Sequence, residues 1–276
     1  MMRRGNATIG HKRISYLIAE PTGPTVRQQP PRTVVFLHAF PLHAAMWEAN
    51  LGAVPPGWRA VAPDFRGCGE SPLPDSGGQR ISDLAGDVID LLDHLDVTQA
   101  VVIGCSMGGY VLFEMLRSAP RYVAAVGLVS TRPGADTEDG KKNREKMIEQ
   151  LEREGVDAIA TQMAVKLFGT TTQRDRPDLM KHARNLIGQN TAPGIRAAIS
   201  AMRDRSDSTQ LLAAITVPAL IVAGVEDTLI PPAEAEAMHR AMPASRCELM
   251  PFAGHLPNLE QPAPFDALLG DFLQRL

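Results

Sequence analysis

Gly104-Cys105-Ser106-Met107-Gly108-Gly109 is the stretch that decides the fold of this 276-residue chain. The β-branched apolar run at 100–103 predicts a strand before it, and residues 110–116 predict a helix after it. A serine at the apex of such a strand–turn–helix adopts a strained backbone conformation, which is tolerated only beside small residues. The three glycines leave that space. The stretch therefore predicts a nucleophile elbow, with the Ser106 hydroxyl standing clear of the sheet.

Composition is that of a globular protein with one domain, or one domain carrying an insertion. The net charge of 28 − 31 = −3, without a basic block, argues against a nucleic-acid partner. The first residues lack the apolar stretch of a signal peptide, and no run approaches the roughly 18 apolar residues that cross a membrane. Three widely separated cysteines argue against a disulfide framework, so we expect a cytoplasmic protein. No metal-ligand spacing occurs, and we expect neither a metal nor a cofactor.

Short apolar runs alternate with amphipathic segments along most of the chain. Residues 7–19 predict two short edge strands, and buried strands are predicted at 33–37, 59–62, 100–103, 123–129, 218–223 and 247–250. Helices are predicted at 44–51, 81–95, 110–116, 233–241 and 265–276. Four prolines and a glycine at 21–32 predict a turn or surface connection. The alternation predicts an α/β fold, with a mostly parallel central sheet and helices on both faces.

The pattern changes between residues 136 and 209, which are rich in charged residues, glutamine and alanine. Helices are predicted at 141–154, 156–168, 177–189 and 193–204, with breaks at Gly155, Gly169, Pro177 and Pro193. The stretch is far longer than usual connections between strands. We therefore expect a helical lid at 136–209, inserted into a core domain of residues 1–135 and 210–276.

A serine hydroxyl is a weak nucleophile near neutral pH and needs a general base, which in turn needs an orienting acid. Of seven histidines, His255 follows the last predicted strand, and loops beyond the carboxyl ends of strands gather the chemistry of an open α/β sheet. Asp227 follows the strand at 218–223 and lies between the serine and the histidine in chain order. Asp136, after the preceding strand, is the alternative acid.

Backbone N–H groups are needed to stabilise the oxyanion of the transition state. Met107, directly after the serine, offers one, and Phe40 in the loop His38-Ala39-Phe40-Pro41 offers another. The same loop is also compatible with a plain turn that ends a strand. Cys105 is expected to pack in the core, because the elbow exposes its apex residue.

Together these segments resemble the α/β-hydrolase superfamily over residues 7–276. Within it, the chain is similar to the lidded group of 3-oxoadipate enol-lactonases, carboxylesterases and cofactor-free haloperoxidases. The resemblance is carried by residues 38–41 with Met46-Trp47, by the glycine-punctuated loop 64–71, and by the segments 104–109, 224–227 and 254–255. The loop 64–71 looks like a structural signature. The family usually has glycine where Ala39 stands, and the extra methyl group would tilt the Phe40 amide slightly.

The resemblance implies a catalytic triad of Ser106, Asp227 and His255, with the Phe40 and Met107 N–H groups as the oxyanion hole. Relatives with aspartate at the apex form alkyl esters, whereas a serine indicates acyl transfer. The expected function is therefore hydrolysis of a carboxylic ester through an acyl-enzyme. The alternatives are a lactonase resembling 3-oxoadipate enol-lactonase, or a small-molecule sensor derived from a hydrolase and turning over slowly.

The expected partner is a small-molecule ester or lactone, and neither a nucleic acid nor a membrane is expected. The sequence is compatible with a homo-oligomer. The residues expected to line the substrate pocket are Leu229, Ile230, Met163 and Phe168. The last two are equally compatible with packing inside the lid. An apolar lining favours an uncharged or modestly polar acyl group, whereas a dicarboxylate would call for a basic anchor such as Arg132.

Overall fold

Eight strands form one sheet in the computed structural model, which describes residues 2–22, 32–75 and 78–276. The strands are β1 (Met2–Ile9), β2 (Lys12–Ala19), β3 (Arg32–Leu37), β4 (Trp58–Pro63), β5 (Ala100–Cys105), β6 (Val123–Val129), β7 (Ala219–Gly224) and β8 (Ser245–Met250). Their order is β1-β2-β4-β3-β5-β6-β7-β8. β2 runs antiparallel to both neighbours, and every other adjacent pair is parallel. The predicted mostly parallel sheet is confirmed.

Helices connect the strands and cover the sheet. They are α1 (Glu48–Ala53), α2 (Ile81–His94), α3 (Met107–Ser118), α4 (Glu138–Lys166), α5 (Thr170–Asp175), α6 (Pro177–Gly188), α7 (Ala192–Arg203), α8 (Pro232–Ala241), α9 (Pro257–Glu260) and α10 (Pro262–Gln274). β5 and β7 are buried at every residue, as expected of parallel strands with helices on both faces. Within the described ranges, no helix combines the length and the apolar sequence that crossing a bilayer requires.

The N-terminal strands differ from the prediction of two short edge strands at 7–19. β1 begins at Met2, and β2 is an inner strand that pairs with both β1 and β4. The sequence did not predict the start of β1, because its residues are charged and show no apolar run. An edge strand exposes one side and therefore admits charged side chains. Arg4 of β1, for example, donates to the buried Asp64 carboxylate at 2.7 Å.

Short elements account for the other differences. The helix predicted at 44–51 is a 3₁₀ turn, Ala44–Trp47, followed by α1. α5 and α9 were not predicted, because six and four residues are too few to show helical periodicity. Most of the connection predicted at 21–32 lies outside the described residues, and Arg32 already belongs to β3.

Between β6 and β7 the chain forms α4 to α7, called here the helical insertion (residues 136–209). α4 packs against α6 and α7. Gly155 interrupts α4 with φ 77° and ψ −176°, so the predicted break is present although the helix resumes at once. Gly169 is the N-cap of α5, and Pro177 and Pro193 lie in the first turns of α6 and α7. The helical character of this stretch is therefore as predicted.

The two ends of the helical insertion are bound to each other beside the sheet. Arg205 donates to the Asp136 carboxylate at 2.7 Å and to the Gly134 carbonyl at 2.7 Å. Ser208 N–H donates to the Pro133 carbonyl at 2.9 Å. The chain thus leaves and rejoins the sheet at one fixed point.

Gly155→Ala tests the break in α4. Among the described residues, no atom beyond its chain neighbours and the backbone of its own helix lies within 4 Å of a Cβ added at Gly155. The cost therefore comes from backbone strain, about 1–3 kcal/mol of unfolding free energy. Gly86→Ala is the matched control, because Gly86 lies inside α2 in equally open space but in ordinary helical geometry. It should stabilise the protein by roughly 0.5–1 kcal/mol. Urea unfolding of both variants measures the difference, and equal effects would contradict the strain.

Candidate active site

The register of the sheet brings together two of the predicted segments, the loop that carries Phe40 and the turn that carries Ser106 and Met107. Leu37 of β3 lies opposite Gly104 of β5 in the parallel ladder. The loop that carries Phe40 and the turn that carries Met107 therefore leave the same edge of the sheet from neighbouring strands. This is the carboxyl edge, where open α/β sheets bind their ligands.

The other two segments leave the same edge further along. Gly224 of β7 lies opposite Met250 of β8, and the loops that follow carry Asp227 and His255. Cys105 links the two groups, because its sulfur lies 3.9 Å from the His255 carbonyl oxygen. The elbow and the histidine loop are thus in contact.

Ser106 forms the apex of the turn between β5 and α3. Its φ of 53° and ψ of −112° lie in a sparsely populated region, which costs a non-glycine residue about 1–3 kcal/mol. Two hydrogen bonds hold this conformation: its N–H donates to the Val129 carbonyl at 2.9 Å, and its carbonyl accepts from the Thr131 hydroxyl at 2.8 Å. Strain maintained in this way is typical of a functional site.

The elbow glycines leave no room for a methyl group. A Cβ on Gly104 would lie 2.6 Å from the Gly108 carbonyl carbon, and one on Gly108 would lie 2.6 Å from that of Leu37. A Cβ on Gly109 would meet the Thr131 side chain at 2.6 Å. The helix start therefore packs directly on the ends of β3 and β5, as the sequence predicts.

His255 and Asp227 are hydrogen-bonded to each other in a buried position. His255 Nδ1–H donates to Asp227 Oδ2 at 2.8 Å. The other carboxylate oxygen accepts from the backbone N–H groups of Leu229 at 2.8 Å and Ile230 at 3.0 Å. Because a carboxylate only accepts, the proton of a neutral imidazole resides on Nδ1 and leaves Nε2 as a proton acceptor. This is the arrangement that a general base requires.

Asp136, the alternative acid, is bound elsewhere. Its carboxylate accepts from Arg205 at 2.7 Å, Arg132 at 3.0 Å and Arg144 at 3.0 Å. Burial by itself raises the pKa of this carboxyl, but Arg144 and Arg205 outweigh it, and the pKa lies below its ordinary value. Asp136 therefore clamps the helical insertion and is not the partner of His255. Arg132, considered above as a substrate anchor, is engaged in the same cluster.

The loop that carries Phe40 is held by its neighbour His38. Phe65 N–H donates to His38 Nε2 at 3.0 Å, which leaves Nδ1–H to donate to the Ala39 carbonyl at 3.1 Å. Burial lowers the pKa of His38 to about 4, so the ring is neutral near pH 7 and keeps its acceptor. The Ala39 methyl group is accommodated in this loop, where its residue is fully buried.

Phe40 and Met107 were predicted to offer N–H groups to an oxyanion. Both residues are buried, and in the loops and helix caps of the described chain neither N–H donates to another backbone group. Met107 is the first residue of α3, where N–H groups have no acceptor within the helix. Two uncommitted donors at one edge are compatible with a site for negative charge.

Cys105 packs as predicted. Its side chain is fully buried, and burial raises the pKa of its thiol, so the nucleophilic thiolate is disfavoured.

The loop 64–71 has a structural role. The Asp64 carboxylate accepts hydrogen bonds from the N–H groups of Ala44 at 2.8 Å and Glu70 at 3.1 Å.

The four residues predicted to line a substrate pocket lie in two places. Leu229 and Ile230 lie two and three residues after Asp227 and hold its carboxylate through their backbone N–H groups. Met163 and Phe168 are buried at the end of α4 and just after it. Phe168 reaches the site through its backbone, because its carbonyl carbon lies 2.7 Å from where a Gly254 Cβ would stand.

Two residues that connect the helical insertion to the site carried no signal in the sequence. Asn190 donates to the Pro41 carbonyl at 2.7 Å and accepts from Gly69 N–H at 2.7 Å. Glu260, on α9, binds the backbone on both sides of His255. Their partners are backbone groups, some far away in the chain, so no spacing of side chains marks them.

Residues 32–262 match the family model described as the alpha/beta hydrolase fold. The chain belongs to that family. This α/β hydrolase is 33% identical to a thermophilic esterase from Thermogutta terrifontis, solved with malate bound, and superposes on it with a TM-score of 0.89 over 99% of this chain and 98% of the other.

Curated relatives of this α/β hydrolase carry several names. It is 29% identical over 272 residues to a putative 2-succinyl-6-hydroxy-2,4-cyclohexadiene-1-carboxylate synthase of Bacillus subtilis, covering 94% of this chain and 95% of the relative. It is 26% identical over 242 residues to 3-oxoadipate enol-lactonase 2 of Acinetobacter baylyi, covering 88% of each. The predicted resemblance to the enol-lactonase and esterase group is confirmed.

Asp227→Asn and Asp136→Asn separate the two carboxylates in this α/β hydrolase. Asp227→Asn should lower kcat by about 10³–10⁴-fold, because an amide presents the imidazole with the wrong tautomer. Asp136→Asn should change kcat less than tenfold but lower the unfolding free energy at pH 7 by about 3–5 kcal/mol, since it breaks a buried ionic cluster.

The pH dependence of stability distinguishes the clamp further. A carboxyl whose pKa is depressed in the folded state contributes stability above its unfolded pKa of about 3.9 and loses it as the pH falls through the folded value. The stability gap between wild type and Asp136→Asn should therefore narrow below about pH 4. Urea unfolding of both proteins at pH 7 and pH 3.5 measures this gap. In the kinetic comparison, a larger loss of kcat for Asp136→Asn than for Asp227→Asn would make Asp136 the orienting acid.

Cys105→Ala tests the packing role of the thiol. Activity should remain within about tenfold of wild type, because removal of a buried sulfur disturbs packing and not the reacting groups. Ester hydrolysis and thermal unfolding of the variant give the two quantities. Loss of activity as complete as that of a serine variant would make Cys105 the nucleophile.

Proposed function

We propose that this α/β hydrolase cleaves a carboxylic ester through an acyl-enzyme on Ser106, with His255 as general base and Asp227 as its orienting acid. The observation that carries the proposal is the buried hydrogen bond from His255 Nδ1–H to Asp227 Oδ2, at the same edge of the sheet as the strained Ser106. The 33% identity to a thermophilic esterase over nearly the full chain supports the ester as substrate.

In the first half of the reaction, Ser106 Oγ attacks the ester carbonyl carbon while His255 Nε2 takes the hydroxyl proton. The resulting oxyanion accepts hydrogen bonds from the Phe40 and Met107 N–H groups. Collapse of the intermediate expels the alcohol, which receives the proton from His255, and leaves the acyl group on Ser106.

In the second half, water replaces the alcohol. His255 Nε2 removes a proton from the water as its oxygen attacks the acyl carbon, and the same two N–H groups stabilise the second oxyanion. Breakage of the acyl–oxygen bond returns the proton to Ser106 and releases the carboxylic acid. Asp227 stabilises the imidazolium in both halves without itself becoming protonated.

Hydrolysis of a lactone is the second candidate function. The same steps open a ring ester, with alcohol and acid remaining in one product molecule. The enol-lactonase names of relatives that are 26% identical over most of the chain favour this candidate. An ester or lactone of small size is the common substrate class.

We further infer that the helical insertion (residues 136–209) is a lid over a core domain of residues 1–135 and 210–276. Its contacts with the loop of Phe40, with Gly254 beside His255 and with Glu260 of α9 support this assignment. Met163 and Phe168 from the lid, with Leu229 and Ile230 from the core, are the proposed lining of the substrate pocket. The three free cysteines are compatible with the cytoplasm as the location.

Ser106→Ala tests the proposal. The variant should hydrolyse p-nitrophenyl acetate at least about 10³-fold more slowly than wild type, while its thermal unfolding is unchanged, because only the attacking oxygen is removed. Wild type should release many equivalents of p-nitrophenol per molecule. Turnover in Ser106→Ala equal to wild type would refute the serine mechanism. A single slow turnover of wild type that leaves a persistent adduct would favour a sensor.

The choice between the two substrate classes needs a panel of short-chain esters, aromatic esters and lactones, measured for wild type with Ser106→Ala as the blank. A higher kcat/KM for the esters supports the carboxylesterase. A higher kcat/KM for the lactones supports the second candidate.

A further inference from the structure

Glu260 is a buried carboxylate that the reaction steps above do not use. It is 5% exposed and lies at the end of α9, five residues after His255. Its Oε1 accepts from the N–H of Gly254 at 2.8 Å and of Leu256 at 3.1 Å, the two residues that flank His255. Its Oε2 accepts from the N–H of Gly169 at 2.8 Å.

These three bonds are the reason the charge is tolerated. A buried ionised carboxylate is costly without partners, and among the described residues those of Glu260 are backbone N–H groups, with no cation in an ion pair to it. Charge-assisted bonds of this kind are short and about twice as strong as neutral ones. Glu260 therefore fixes three peptide groups firmly, two of which determine where His255 stands.

The third peptide group belongs to the helical insertion. Gly169 is the N-cap of α5, at the junction where α4 has ended. A Cβ on Gly254 would lie 2.9 Å from the Gly169 Cα, so the two backbones pack directly on each other. Glu260 sits across this contact with one oxygen on each side.

A second glutamate strengthens the same junction from the loop of Asp227. Glu226 accepts from the N–H of Thr171 at 2.7 Å and from the hydroxyls of Thr170 at 3.1 Å and Thr171 at 2.6 Å. These bonds lower the pKa of Glu226, so it stays ionised. Both loops that carry the proposed acid and base thus bind residues 169–171 through a carboxylate.

We propose, on the basis of the proposed function, that Glu260 is a positioning residue that holds His255 in line with Asp227 and makes this alignment depend on the docking of residues 167–171. One carboxylate joins the histidine loop to the junction of the helical insertion. Displacement of that junction removes one of its three donors and loosens the peptide groups on both sides of His255. The base is then fully aligned only while the insertion is docked.

Two variants of Glu260 separate its two sides. Glu260→Ala removes all three bonds. Glu260→Gln retains an amide oxygen that can accept from Gly254 and Leu256, but it presents an NH₂ group to the Gly169 N–H, so the contact with the insertion is lost. Glu248→Gln is the matched control, because Glu248 lies on the exposed face of β8 in a surface ion pair with Arg246.

The expected kinetic effect falls on kcat. Glu260→Ala should lower kcat for p-nitrophenyl acetate by about 10²-fold, the cost of a small misplacement of a catalytic group, with KM changed less than about threefold. Glu260→Gln should show a smaller loss of about tenfold, because His255 keeps its flanking bonds. Glu248→Gln should match wild type.

Two measurements without substrate report the positions directly. The low-field proton resonance of His255 Nδ1–H, assigned by its loss in His255→Ala, should shift or broaden in Glu260→Ala and remain in Glu248→Gln. Hydrogen exchange of the peptide covering 167–171 should accelerate in both Glu260 variants. If Glu260→Ala fails to fold, Glu260→Gln gives the same exchange and kinetic readouts.

Failure of the positioning role of Glu260 and failure of the proposed function give different results. A folded Glu260→Ala with wild-type kcat and an unchanged His255 resonance would overturn the positioning role, whatever its melting temperature. Unchanged exchange at 167–171 in Glu260→Gln would overturn the link to the helical insertion. If Ser106→Ala retains full ester turnover, the proposed function fails, and the resonance and the exchange still decide whether Glu260 positions His255.

Discussion

The backbone of Ser106 is the constraint on which the rest of this α/β hydrolase depends. Its φ of 53° is unfavourable for a residue with a side chain, and it persists because Val129 at the end of β6 holds its N–H and Thr131, just after β6, holds its carbonyl. The glycines around it let the start of α3 touch the ends of β3 and β5. The central strands, the helix behind the serine and the neighbouring loops are therefore set at fixed distances by one strained turn.

Polar groups around this turn are satisfied in a way that separates supporting roles from reactive ones. The carboxylates of Asp136 and Asp64 accept hydrogen bonds from groups that hold the fold together. One carboxylate oxygen of Asp227 accepts from two backbone N–H groups, and the other accepts from His255. The Phe40 and Met107 N–H groups stay free of backbone acceptors in the loops and caps of the described chain. These two N–H groups are the donors that the proposed acyl transfer needs for its oxyanion.

The helical insertion is bound at three places: its two ends at the Asp136 cluster, Asn190 on the Phe40 loop, and residues 169–171 on Glu226 of the Asp227 loop and Glu260 of α9. These hydrogen bonds are directional, so they fix the position of the insertion more closely than apolar packing alone would. The position of the insertion therefore bears on both the loop of Phe40 and the loop of His255.

The sequence by itself determined the α/β class, the order of most elements and the segments of the candidate site. Period-two and period-3.6 patterns, glycine spacing and chain order are local properties, and each predicted segment, from the Ser106 turn to the His255 loop, lies within a few residues of its expected place. The tertiary structure alone decided that Asp227 and not Asp136 meets His255, that β2 is an inner strand, and that Glu260 binds both sides of the histidine. These depend on which side chain or backbone group finds which partner in space, and the partner lies tens of residues away for Asp227 and for β2 but only four to six residues away for Glu260 and the histidine loop. A carboxylate looks the same in sequence whether it meets an imidazole, three arginines or three peptide N–H groups.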